Sequence, residues 1–60
     1  MKTVQINKKS RDFINNQMAL NGFKYGFTEN DDYYYSGSIN KDYINFHNQK
    51  AYDFYLTLKQ

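Results

Sequence analysis

Cysteine and proline are both absent from this 60-residue chain, histidine occurs once, and valine, isoleucine and leucine together number only eight. Without cysteine there is no disulfide framework and no thiolate metal site to hold a small fold together. Without proline there is no proline-rich linker, and no internal repeat or tract longer than Tyr33-Tyr34-Tyr35 divides the chain. No apolar run approaches the roughly 18 residues of a membrane span. Nor does the N-terminus carry a basic, hydrophobic, small-residue leader. These absences lead to the expectation of one domain over residues 1–60, cytoplasmic and with no membrane partner.

Counting also removes most catalytic schemes. His47 is the single histidine, so a zinc site would rest on carboxylates, and H-E-x-x-H is missing. Ser36 or Ser38, His47 and Asp53 supply the residue types of a hydrolytic triad, but no nucleophile elbow surrounds either serine, and so short a chain leaves little depth for a pocket. His47 reads instead as a strand-end or helix-entry residue bonded to backbone or water. Glu29, Asp31 and Asp32 lack the glycine and twelve-residue spacing of a calcium loop and read as a solvated turn. Gly22, Gly26 and Gly37 are too dispersed to cradle a phosphate. The expectation is no catalytic residue, no cofactor, no metal and no enzyme.

What the chain has is aromatic carbon. Twelve of its 24 apolar residues are rings, seven Tyr and five Phe, so the core must be built mainly from them. A chain this short buries only about 60% of the surface its unfolded form exposes, which leaves rings for the surface as well.

Periodicity places the elements. Thr3-Val4-Gln5-Ile6 is a short β-branched stretch suited to an edge strand. Asn7 or Ser10 can cap a helix, on which Phe13, Ile14, Met18 and Leu20 share one wide stripe, and Asn21-Gly22 provides its exit. Phe23, Tyr25 and Phe27 alternate with Lys24 and Gly26, the two-residue repeat of a strand. Tyr33 to Ile39 reads as the returning strand, Tyr33 and Tyr35 facing one way and Tyr34 the other. From there two readings compete. Asn40-Lys41-Asp42 is a hairpin turn before a third strand, Tyr43 to His47, with Asn48 capping a last helix; alternatively, one helix runs from residue 40 to the end. The strand is favoured because Tyr-Ile-Asn-Phe is poor in strong helix formers and the long helix would turn Phe46 to solvent. Ala51, Phe54, Tyr55 and Leu58 then form the core face of the last helix. Phe54, Leu58 and Phe13 are expected where the helices meet the sheet. The fold class is α+β, helix–three antiparallel strands–helix (α-β-β-β-α), with room for a short leading strand and both helices on one sheet face. The uncovered face and the edge strand leave apolar surface and unpaired backbone, which admits a homodimer.

The element order, with Gly22-Phe23 closing the first helix, resembles the double-stranded-RNA-binding-like group, HicA-type toxins included. In those toxins a histidine follows Gly-Ser on the second strand; here Gly37-Ser38 is followed by Ile39. The catalytic residue that the resemblance implies is therefore absent, and an RNase toxin is the least favoured of three functional readings.

Net charge is only +2, but residues 1–27 carry Lys2, Lys8, Lys9, Arg11 and Lys24 against Asp12, while from residue 28 Glu29, Asp31, Asp32, Asp42 and Asp53 outnumber Lys41, Lys50 and Lys59. The result is a dipole that steers association. Lys8, Lys9 and Arg11 at the start of the first helix could neutralise phosphates, which makes a small nucleic-acid-binding module the second reading. The leading reading rests on tyrosines beyond the needs of the core, since tyrosine is enriched at interface centres. Tyr34, Tyr43 and Tyr52, with Leu56 beside Tyr52, form the expected partner surface, and Lys8, Lys9 and Arg11 its charged rim. The partner is expected to be a larger protein or ribonucleoprotein. AT-rich coding also inflates Tyr, Asn, Ile and Lys, and size and composition together look like the short accessory proteins of phages and mobile elements, many of which inhibit a host enzyme or defence system.

Overall fold

A single residue, Asn7, turns the chain from strand to helix. Its side-chain oxygen accepts from the Lys9 amide at 3.0 Å, satisfying a first-turn donor that the helix itself leaves unpaired. The computed structural model describes residues 2–58; Lys59, one of the cations in the charge count, lies outside them. Strand β1 (Lys2–Ile6) leads through Asn7 into helix α1 (Lys8–Leu20), followed by strands β2 (Tyr33–Gly37) and β3 (Asp42–Phe46) and helix α2 (Gln49–Leu58). Helix α1 ends in two reverse bonds, Phe23 N to Met18 O at 3.0 Å and Gly22 N to Ala19 O at 3.1 Å, around Gly22 at φ 84°. This is the Schellman closure, and its left-handed residue favours glycine. Asn48 opens α2 by accepting from the Ala51 amide at 2.8 Å.

The fold class is α+β, one three-stranded antiparallel sheet and two helices, in the strand order β1-β3-β2. Both outer strands run antiparallel to β3, so β1 and β2 are parallel and α1 is the crossover between them, a split β-α-β unit. Lys2–Ile6 is thus a full member of the sheet and supplies its third strand. The favoured third strand, expected over Tyr43 to His47, is present as the central strand Asp42–Phe46, with Asp42 in the strand rather than the turn and His47 beyond its end, and the alternative of one helix from residue 40 is overturned by that pairing.

Residues 23–27 do not form a strand; they make one parallel bridge, Tyr25 to Tyr33. Two aspartates hold this segment as a loop. The Lys24 amide donates to Asp32 Oδ2 at 2.8 Å, and the Thr28 amide and hydroxyl donate to Asp31 Oδ2 at 3.2 and 2.8 Å. The Asp31 carboxylate lies where a side chain at position 26 would start, so any other residue there would have to displace it. Gly26 N donates to Tyr33 O at 2.9 Å, which closes that end of the β2 edge. In the acidic turn Asp31 and Asp32 are therefore side-chain acceptors for backbone amides, while Glu29 is exposed.

Alternation along the strands sends Val4, Ile6, Ile44, Phe46, Tyr33 and Tyr35 to one face, where Ile14 and Met18 of α1 and Ala51 and Tyr55 of α2 cover them. The extents of 28 × 24 × 16 Å leave room for one sheet and one helix layer in the short direction. Helix burial is narrower than the expected stripes. Phe13 is 54% exposed and Leu20 is also exposed, because only Ile14 and Met18, one turn apart, point at the sheet. Phe54 and Leu58 are half-buried rather than buried. Phe23, returning from the Gly22 turn, stacks on Phe54 with centroids 5.1 Å apart. Phe13 and Leu58 instead flank a shallow groove of about 380 Å³ shared with Ile6, Ser10, Ile14 and Tyr55.

Candidate functional site

Register puts Thr3, Asn45 and Tyr34 in one row across the sheet, and Gln5, Tyr43 and Ser36 in the next, all on the face without helices. Asn45 sits at the centre and is buried there by its neighbours. The Thr3 hydroxyl donates to Asn45 Oδ1 at 2.7 Å, and Asn45 Nδ2 donates to Ser36 Oγ at 3.0 Å. The face is therefore a hydrogen-bonded ladder, not the apolar surface expected of an uncovered sheet. Beside the ladder runs an aromatic strip. Phe27, 70% exposed, packs on Tyr34 at 5.1 Å, and Tyr34 stacks on His47 at 5.2 Å and 29°. His47 Nε2 is 3.0 Å from Gly26 O. A carbonyl only accepts, so Nε2 carries the hydrogen in this contact, and the ring ties the loop to the end of β3. Thr3, Gln5, Tyr34, Ser36, Tyr43, Asn45, His47 and Phe27 include no acidic or lysine or arginine side chain.

Of the residues singled out in the sequence, the structure brings Tyr34 and Tyr43 together on this face, as diagonal neighbours on β2 and β3. Tyr52 belongs to the other side. Its ring meets the fully buried Phe46 edge-on at 5.6 Å, with Lys2 Nζ 5.5 Å from its centroid, so it packs on the core. Leu56 is exposed on α2, away from the sheet face. Lys9 is exposed in the first turn of α1, and Lys8 Nζ donates to Ile39 O at 3.2 Å, joining α1 to the β2–β3 turn. Ser36, His47 and Asp53 do not converge. Ser36 is bonded to Asn45, His47 to Gly26, and Asp53 accepts from Gln49 within α2 at 2.8 Å. Sequence reasoning missed Phe27 and His47 as the neighbours of Tyr34; the alternation of Tyr43, Asn45 and His47 was the signal for the latter.

A second concentration of aromatic carbon lies along the opposite side of β2, under α1. Arg11 places its guanidinium 4.7 Å from the centroid of the Tyr35 ring. Tyr25 stacks on Tyr35 at 5.6 Å and meets Tyr33 edge-on at 5.5 Å. Tyr33 donates its hydroxyl to Asn15 Oδ1 at 2.7 Å. Burial raises the Tyr33 and Tyr35 phenols above the usual range, helped for Tyr33 by Tyr25 and Asp32 and for Tyr35 by Tyr33, with Arg11 opposing. Arg11, Asp12, Asn15, Tyr25 and Tyr35 line an open cleft of about 510 Å³.

No family model matches the chain, and neither the curated proteins nor the solved structures contain a match to it. No helix among the described residues is long and apolar enough to cross a membrane.

Proposed function

We propose that this chain is a non-enzymatic binding protein that docks its helix-free sheet face on a larger protein and blocks or modulates it. One observation carries the reading: the face combines an aromatic strip, Phe27–Tyr34–His47, and Tyr43 with no acidic, lysine or arginine side chain among the eight residues named on it. Interface centres are depleted in charge and enriched in aromatic residues, whereas a phosphate-binding face needs Lys and Arg. A standard interface takes ~800 Å² from each partner. The whole chain exposes 4325 Å², so such a contact would engage about a fifth of its surface. A domain with that proportion committed acts by occupying its partner's surface, in keeping with the accessory inhibitors of phages and mobile elements that its composition suggests.

The test is affinity capture from a host lysate at moderate salt, with nuclease present, using wild type, Tyr34→Ala/Tyr43→Ala and Lys8→Glu/Lys9→Glu. The expected result is one stoichiometric protein retained by wild type and by the lysine variant, and bound ~5- to 150-fold more weakly by the tyrosine variant, the usual effect of losing an aromatic anchor. Capture that survives the tyrosine changes but not the lysine reversal would refute the choice of face.

A further inference from the structure

The cleft on the α1 side of β2 has a chemistry of its own and shares no residue with the sheet face; the two meet where Phe27 packs edge-on against Tyr25 at 6.0 Å. Its floor is rigid. Tyr33 and Tyr35 are buried, Tyr33 is anchored through its hydroxyl to Asn15, and Tyr25 is held by ring contacts to both. Two planar groups face outward from that floor, the Tyr25 ring, 45% exposed, and the Arg11 guanidinium lying on Tyr35. Each can stack a heteroaromatic base, and an arginine already resting on one ring presents its second face to another.

We propose that this cleft binds a guanine base. The identity follows from the two polar residues at its rim. Asp12 and Asn15 lie three residues apart on α1, so they rise from the same side of the helix, and both line the cleft. The Asp12 carboxylate only accepts, and it can take two adjacent N–H groups. Asn15 Oδ1 is already occupied by the Tyr33 hydroxyl, which fixes the orientation of the amide and leaves Nδ2 as the group that donates to a ligand. Two acceptors beside a donor complement the guanine edge, N2–H and N1–H next to O6. Adenine, cytosine and uracil each lack the adjacent pair of N–H donors. The cleft volume of about 510 Å³ is in the range of small-molecule sites. A free guanine nucleotide and a guanine within a single strand present the same chemistry.

Isotope-labelled full-length chain is titrated with GMP, AMP, CMP and UMP, then with short single-stranded oligonucleotides that contain or lack one guanine, while amide shifts are followed by NMR. Expected are shifts centred on Asp12, Asn15, Tyr25 and Tyr35 and at least tenfold tighter binding of the guanine ligand than of its adenine counterpart. Binding of GMP itself identifies a nucleotide site, and binding only of the guanine-containing strand identifies a strand site. Asp12→Asn should abolish the base preference, and Arg11→Ala or Tyr25→Ala should weaken binding ~5- to 100-fold, the scale of a lost stacking contact. Arg11→Lys keeps the charge without the plane and should also weaken it, which covers the case in which Arg11→Ala does not fold. Tyr43→Ala, on the opposite face and outside the run of ring contacts Tyr34–Phe27–Tyr25, should leave guanine binding unchanged, so failure here leaves the sheet-face reading standing and the reverse also holds. Equal binding of all four bases, shifts away from the cleft, or no response to any ligand at millimolar concentration would overturn the proposal.

Discussion

Replacing Asp42 with valine should make this protein more stable. Asp42 lies on β3 in the row with Ile6 and Gly37, on the side of the sheet that carries the core, and is only 5% exposed. Its Oδ2 has no hydrogen-bond partner. The nearby ammonium of Lys8 donates instead to Ile39 O across the cleft that the two residues line. A buried acceptor left unpaired costs about 1–3 kcal/mol, and more when it is charged. Valine fills a similar volume, needs no partner and suits a pleated strand. Unfolding entropy near 2.1 cal/mol/K per residue gives ~0.13 kcal/mol/K for a chain of this length, so each kcal/mol moves the midpoint by about 8 °C. The expected gain in Tm for Asp42→Val is therefore about 8–24 °C, measured by far-UV circular dichroism and checked by urea unfolding with an unchanged m-value.

The competing possibility is that Lys8, or the N-terminal end of α1 that follows Ile6, stabilises the carboxylate through space. Lys8→Met in both backgrounds separates the two. If the ammonium supports Asp42, Lys8→Met destabilises wild type and leaves Asp42→Val unaffected, and the coupling appears as the difference between the two effects. A drop in Tm for Asp42→Val, with that coupling above about 1 kcal/mol, would refute the reasoning that the carboxylate is a cost.

Phe46→Ala should cost about 3–5 kcal/mol, because the ring is fully buried between Tyr52 and Tyr55. A domain of this size holds roughly 3–9 kcal/mol in all, so urea unfolding should find the variant's stability lowered by about a third or more, whereas Phe13→Ala, at a position 54% exposed, should stay within about 0.5 kcal/mol of wild type. Burial raises the folded-state phenol pKa of Tyr33, Tyr35 and Tyr55 above their unfolded value of 10.0. With more protons bound in the native state, stability is fully present below pH ~10 and falls as pH climbs toward the raised values. The midpoint should therefore drop steeply in alkali, with the tyrosinate absorbance of these three of the seven tyrosines appearing in step with unfolding; Tyr33, Tyr35 and Tyr55 titrating while the fold stays intact, resolved by ring-labelled NMR, would contradict this.

Much of the architecture was legible because alternation and capping are local. Tyr33, Tyr34 and Tyr35 sort to opposite faces as the two-residue period requires, Asn7 and Asn48 cap as their side chains allow, and Gly22 marks the helix exit. What failed was non-local. Phe23, Tyr25 and Phe27 carry the period of a strand, but Asp31 and Asp32 capture the amides of that segment, while β1 takes the partner edge of β3. Nothing in the local pattern ranks Val4–Ile44 above a pairing of the 23–27 segment. The candidate face was half legible for the same reason. Tyr34 and Tyr43 followed from phase, whereas Tyr52 was drawn onto Phe46 by the packing of α2, and the stacking of Arg11 on Tyr35 depends on where the crossover helix lies.

The bare sheet face follows from how few residues there are to cover it. Both helices are spent on the side where six strand residues carry apolar bodies, so the opposite side must satisfy its own polar groups without a second layer. It does so with Thr3, Asn45 and Ser36, bonded in sequence across all three strands. That arrangement changes the energetics of docking. A partner covering a field of unbonded amides and hydroxyls would lose their hydration and have to replace every bond, at about 1–3 kcal/mol for each one left unmade. Here the bonds stay within the sheet when water leaves, and the aromatic strip beside them supplies the apolar area. Asn45 is therefore a residue whose loss should be felt twice, once in the sheet and once at the proposed interface, because removing it strips the internal partners from Thr3 and Ser36 and leaves them to be desolvated unpaired.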